Sequence, residues 1–79
     1  METLLKRITI NPEICNGKPV IRNMRITVNT ILEYLAAGES TENVLEAYPV
    51  LEKEDILACL EFAKKIADKS IFDYDLKAS

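Results

Sequence analysis

The chain has 79 residues, carries a net charge of −3, and is 48% apolar and 29% charged, a balance that supports a folded core rather than disorder. That length allows one domain, near the lower limit that an apolar core sustains without metal, disulfides or a second subunit, so a homodimer is expected. Histidine is absent and the two cysteines, Cys15 and Cys59, lie far apart, which excludes a zinc-type ligand spacing and removes the usual general base.

No apolar run approaches the roughly 20 residues of a membrane span. The stretch Met1 to Arg7 lacks the order of a signal peptide, and a reduced cysteine pair suits the same compartment, so a cytoplasmic protein without cofactor is expected. Charge is unevenly spread. Residues 1–30 balance to +3 and residues 31–79 to −6, which directs any polyanion to the N-terminal third.

From Arg7 to Ile10 the order Arg-Ile-Thr-Ile alternates polar and apolar, the period of a half-buried strand, and Asn11-Pro12 ends it. Val20-Ile21-Arg22 and Arg25-Ile26-Thr27-Val28 are the next extended segments, beyond a loop holding Asn16-Gly17, a pair that tolerates positive φ. Asn23-Met24 marks a weaker bend. Residues 7–28 are therefore expected to form a β-hairpin or a pair of short strands.

Val28, Ile31, Leu32 and Leu35 recur at helical spacing and predict a first helix from Val28 or Asn29 to Ala37, with Gly38 as its left-handed C-terminal cap. Ser40 then serves as N-cap of a short second helix, Thr41 to Ala47, which has Glu42 in its first turn and buries Val44 and Leu45. Pro49 forbids its continuation. A third and longest helix begins among Glu52, Glu54 and Asp55, with Ile56, Leu60, Ala63 and Ala67 as its apolar stripe and Leu57, Cys59 and Ile66 widening it. Residues 1–69 read as a single domain, mainly α with a short β N-terminus, a three-helix helix-turn-helix bundle. Residues 70–79 alternate apolar with acidic or polar side chains and read as a C-terminal tail.

Several spaced motifs then fall in a familiar order: Ile8-Thr9-Ile10-Asn11-Pro12, Gly17-Lys18-Pro19-Val20-Ile21, Arg25-Ile26-Thr27-Val28, Leu35-Ala36-Ala37-Gly38-Glu39-Ser40, and Tyr48-Pro49-Val50-Leu51 with Glu54-Asp55-Ile56. Over about residues 7–67 the chain resembles the small prokaryotic domain of unknown function 433. The resemblance implies a homeodomain-like fold with a β N-terminus, in proteins regarded as antitoxin-like partners of a PIN-like ribonuclease toxin. Two departures stand out. Asn23-Met24 replaces the usual Gly-Thr before Arg25, and Glu52 stands where a Ser or Thr cap commonly precedes the third helix.

Gly17-Lys18-Pro19 is not a phosphate loop, because the second half of that motif is missing and proline follows the lysine. Lys18, Arg22 and Arg25 have two readings: contacts to a DNA backbone, or a solvated hairpin face whose arginines pair with Glu33 or Glu39. Lys53, at the start of the recognition-helix position, is a further DNA candidate, but Glu52, Glu54 and Asp55 surround it with repulsive charge. Tyr48 and Phe62 read as core. Phe72, Tyr74 and Leu76, interleaved with Asp73 and Asp75, suit a protein groove that bears positive charge. With no nucleophile beside a base and no metal set, a non-enzymatic protein is expected. The leading expectation is an antitoxin-like regulator that neutralises a PIN-like ribonuclease toxin through its tail. The alternative is a DNA-binding transcriptional regulator that docks by its basic N-terminal segment.

Overall fold

Alternation over residues 7–10 and the apolar pair Val20-Ile21 produce one short antiparallel ribbon: β1 (Ile8–Thr9) pairs with β2 (Val20–Ile21) in the register Ile8 to Ile21 and Thr9 to Val20. The structure, a computed structural model, describes the backbone of residues 2–78 and the side chains of residues 4–68. A four-residue helix, α1 (Glu2–Leu5), precedes the ribbon and lies along the last helix of the fold. Nothing in the residue pattern had announced it.

The strands are shorter than the alternation suggests. Arg22 belongs to a turn, because Arg22 and Asn23 both take positive φ, 46° and 60°, and the Met24 amide donates to the Ile21 carbonyl at 2.8 Å. Two consecutive left-handed residues make a type I′ turn, the form whose twist matches that of the flanking strands. The bend thus sits one residue earlier than Asn23-Met24. Arg25 to Val28 is not a strand either: Thr27 forms a lone bridge to Val20, and the Val28 amide donates to the Pro19 carbonyl at 3.0 Å as the next helix begins.

That helix, α2 (Val28–Ala36), has Thr27 as its N-cap: the Thr27 hydroxyl accepts from the Thr30 amide at 3.1 Å. It closes in a Schellman turn, in which Glu39 donates to the Tyr34 carbonyl, Gly38 donates to Leu35, and Gly38 stands at φ 96°. No heavy atom lies within 4 Å of where a Gly38 Cβ would sit, so the backbone angle alone calls for glycine. Ser40 caps α3 (Thr41–Ala47) as expected, accepting from the Asn43 amide at 3.1 Å. After the turn at residues 48–52, α4 (Lys53–Ala78) runs as one helix to the end of the described backbone, so residues 70–78 continue it.

The fold is a small, mostly helical bundle with a short β N-terminus, as the sequence suggested. Its core joins Ile21 from the ribbon, Val28 and Ile31 from α2, Val44 from α3, Leu51 from the turn and Ile56 and Cys59 from α4. Tyr48 and Phe62 pack against this cluster, as expected. The apolar stripe of α4 is rotated from the expected one. Ile56, Ala58 and Cys59 are buried, whereas Leu57 and Leu60 are 42% and 46% exposed. Among the described residues the inward face also carries one charge, Asp55, which is wholly buried.

Candidate functional site

Asp55 occupies the third position of α4, where a carboxylate can reach back to the amide that opens the helix. Its Oδ2 accepts from the Glu52 amide at 2.8 Å, so half a capping box replaces the Ser or Thr missing from position 52. The remaining acceptor sites are filled from the N-terminal ribbon. Arg22 approaches in a fork, Nη2 to Oδ2 at 2.7 Å and Nε to Oδ1 at 3.1 Å, and Arg7 adds Nη1 to Oδ1 at 2.9 Å. Arg7 also meets Glu52 Oε1 at 2.8 Å, and Arg22 reaches the Val50 carbonyl at 3.2 Å. Among the described residues no buried side-chain nitrogen or oxygen lacks a partner.

Burial alone would push the Asp55 carboxyl up, but hydrogen bonds from Arg22, the Glu52 amide and Arg7 outweigh it and hold the group below the ordinary carboxylate range. The same bonds raise both guanidiniums: Arg7 through Glu52 and then Asp55, Arg22 through Asp55. Beneath the cluster, burial and then the Asp55 charge push the Cys59 thiol up to about 12, so it stays protonated. The four charged residues form a clamp that fastens the ribbon to the start of α4.

This clamp redistributes the residues singled out from the sequence. Arg22 is paired with neither Glu33 nor Glu39; it holds Asp55, and its guanidinium is committed to the turn before α4. Lys18, Arg25 and Lys53 are exposed and form no ion pair among the described residues. Phe72, Asp73, Tyr74, Asp75 and Leu76 lie outside the residues whose side chains are described. Sequence reading missed Arg7 and Asp55, the first taken as strand edge and the second as a helix-dipole charge. Only the position of Asp55, three residues after Glu52, could have signalled the capping role.

A separate surface feature lies farther along α4. A groove of about 360 Å³ runs between the start of α2 and the middle of α4, floored by Val28, Leu32, Phe62, Ala63, Ile66 and Ala67, with Lys18 and Pro19 along its border. Its lining is mostly apolar, with Thr27 and Asn29 also contributing to it. Among the described residues no group of three His, Cys, Asp or Glu side chains could hold a metal ion, and no helix is long and apolar enough to cross a membrane.

Residues 8–63 match the family model described as "Protein of unknown function (DUF433)". Uncharacterized protein y4eO from Sinorhizobium fredii (strain NBRC 101917 / NGR234) is 43% identical over 49 residues, which cover 62% of this chain and 22% of that protein. The matched part of the chain therefore spans about a fifth of the length of that relative. The crystal structure of a DUF433 member protein from Anabaena variabilis ATCC 29413 superposes with a TM-score of 0.75 at 32% identity, covering 86% of this chain and 67% of the other.

Proposed function

The chain belongs to the family of proteins of unknown function DUF433, and on that footing we propose that it is a non-enzymatic, antitoxin-like regulator that neutralises a PIN-like ribonuclease through the C-terminal part of α4. The observation that carries this reading is the length of α4. The helix extends from Lys53 to Ala78, yet among the described residues its last fully buried side chain is Cys59 and residues 64–68 are exposed. A helix that outlasts its own core presents a rod for insertion into a groove on a partner. That segment holds Phe72 and Leu76 one helical turn apart as apolar anchors, Tyr74 as a further one, and Asp73 and Asp75 to meet cations in a nuclease.

The alternative, duplex binding by the basic N-terminal segment, has less to draw on. Two of its five cations, Arg7 and Arg22, already neutralise Glu52 and Asp55, which leaves Lys6, Lys18 and Arg25 for phosphates. Co-expression with a nuclease encoded beside the gene tests the proposal. The full chain restores growth and suppresses RNA cleavage, and a chain ending at Asp68 does neither while keeping its fold. A full chain that fails to suppress cleavage, or a truncated one that succeeds, overturns the reading.

A further inference from the structure

We infer that Asn16 is a site of spontaneous modification held in check by the fold: its side chain cyclises onto the Gly17 nitrogen only when the turn at residues 15–18 opens, and an opened chain is then marked irreversibly. The inference stands apart from nuclease neutralisation. Of the asparagines Asn11, Asn16, Asn23, Asn29 and Asn43, Asn16 alone precedes glycine. An asparagine side chain is attacked by the main-chain nitrogen of the next residue, and a residue without Cβ leaves that nitrogen unhindered. Asn11 precedes proline, whose nitrogen has no proton to give up. The other three precede Met24, Thr30 and Val44, whose side chains crowd the approach.

The reaction needs no partner but water. The Gly17 nitrogen bonds to Asn16 Cγ, the Cγ–Nδ2 bond breaks, and Nδ2 leaves as ammonia with the proton that the Gly17 nitrogen gives up. Water then opens the five-membered imide at one carbonyl or the other, which yields aspartate or isoaspartate. Either product adds a carboxylate, lowering the balance of residues 1–30 from +3 to +2, and isoaspartate also lengthens the main chain by a methylene.

The structure both presents and blocks this chemistry. Asn16 is exposed, and among the described residues no side-chain hydrogen bond holds its amide. Yet its backbone stands at φ 58° and ψ 33°, which turns the Gly17 nitrogen away from Cβ, whereas ring closure needs the two eclipsed about the Cα–C bond. That nitrogen is also engaged: Gly17 donates to the Ile14 carbonyl at 3.1 Å, and Lys18 donates to the Cys15 carbonyl at 3.1 Å. Cys15, Asn16 and Gly17 take positive φ in succession, 51°, 58° and 81°, a left-handed turn that is unfavourable for cysteine. Cyclisation therefore requires the turn to give up its bonds and rotate the Asn16 ψ.

Peptide mapping by mass spectrometry provides the test, on the full chain incubated at pH 8 in buffer and in guanidinium chloride. The unfolded chain converts at Asn16 first, and the folded chain converts there at least about tenfold more slowly, the population of the open turn setting the rate. Gly17→Ala, compared in guanidinium chloride where its folding does not matter, slows the conversion several-fold. A folded chain that converts as fast as the unfolded one overturns the guarding role of the turn. Conversion of Asn23, Asn29 or Asn43 ahead of Asn16 in the unfolded chain, no conversion there at all, or an unchanged rate in Gly17→Ala overturns the site.

Discussion

Arg22, at the first corner of the turn that follows β2, grips Asp55, in the first turn of α4, across 33 residues of chain with two hydrogen bonds of 2.7 and 3.1 Å. The positive φ of Arg22 acquires a reason from this pairing. A left-handed arginine is unfavourable by about 1 kcal/mol or more, and the turn that imposes it aims the guanidinium at a carboxylate with no access to water.

Removing that carboxylate leaves Arg22 without its ion pair and Arg7 with Glu52 alone. Asp55→Ala is expected to lower the unfolding free energy by about 3 kcal/mol, the lower end of the range for breaking a buried pair, since both arginines still reach water. The urea midpoint of the variant against the parent chain measures this. Helix α4 also loses the acceptor for its opening amide, so its first turn should exchange amide hydrogens faster.

The two arginines of the hairpin should separate cleanly. Arg22→Ala leaves Asp55 buried with part of its shell gone and lowers the melting temperature, whereas Arg25→Ala, with no ion pair among the described residues, leaves it within error. In titrations of duplex DNA the order reverses: each of Lys18→Ala and Arg25→Ala reduces the slope of log affinity against log salt by about one if those cations touch phosphate. Equal melting temperatures for the two arginine variants would contradict the clamp.

The clamp also sets a pH dependence. The folded Asp55 carboxyl lies below its unfolded value of about 3.9. Its stabilisation is therefore present above about pH 4 and is lost as pH falls through the folded value. Thermal melts from pH 7 to pH 2 should show the parent chain losing its advantage over Asp55→Asn only below about pH 4. The other carboxylates are common to both chains and cancel in the difference.

Helix caps give smaller effects of known size. Thr27→Ala and Ser40→Ala each remove the acceptor for one orphan amide, Thr30 and Asn43 respectively. Each is expected to lower the unfolding free energy by about 1 kcal/mol, read from denaturant midpoints.

Thiol chemistry distinguishes the cysteines. Cys59 is buried and its thiol is pushed up to about 12, while Cys15 is half-buried near the surface. Alkylation at pH 8 followed by mass spectrometry should label Cys15 first in the native chain and both residues in urea.

How much of this was legible in the chain depends on the range of the interaction. Gly38, Ser40 and Pro49 declare the ends of α2 and α3 because capping acts within four residues, and the recurrence of Val28, Ile31 and Leu35 identifies the buried side of α2 by helical period alone. The order of motifs pointed to the family for the same reason. The bond from Arg22 to Asp55 was out of reach, since an acid at a helix start looks the same whether it faces water or an arginine from a distant turn. The rotation of the α4 stripe likewise depended on where the ribbon and α1 lie, which admits Asp55 and Ala58 to the interior and turns Leu57 and Leu60 outward. The sequence by itself determined the elements, their caps and the surplus of acid in the C-terminal half. Tertiary structure alone decided which charges are neutralised inside the fold and which apolar residues stay exposed, because both follow from packing between segments that no local pattern connects.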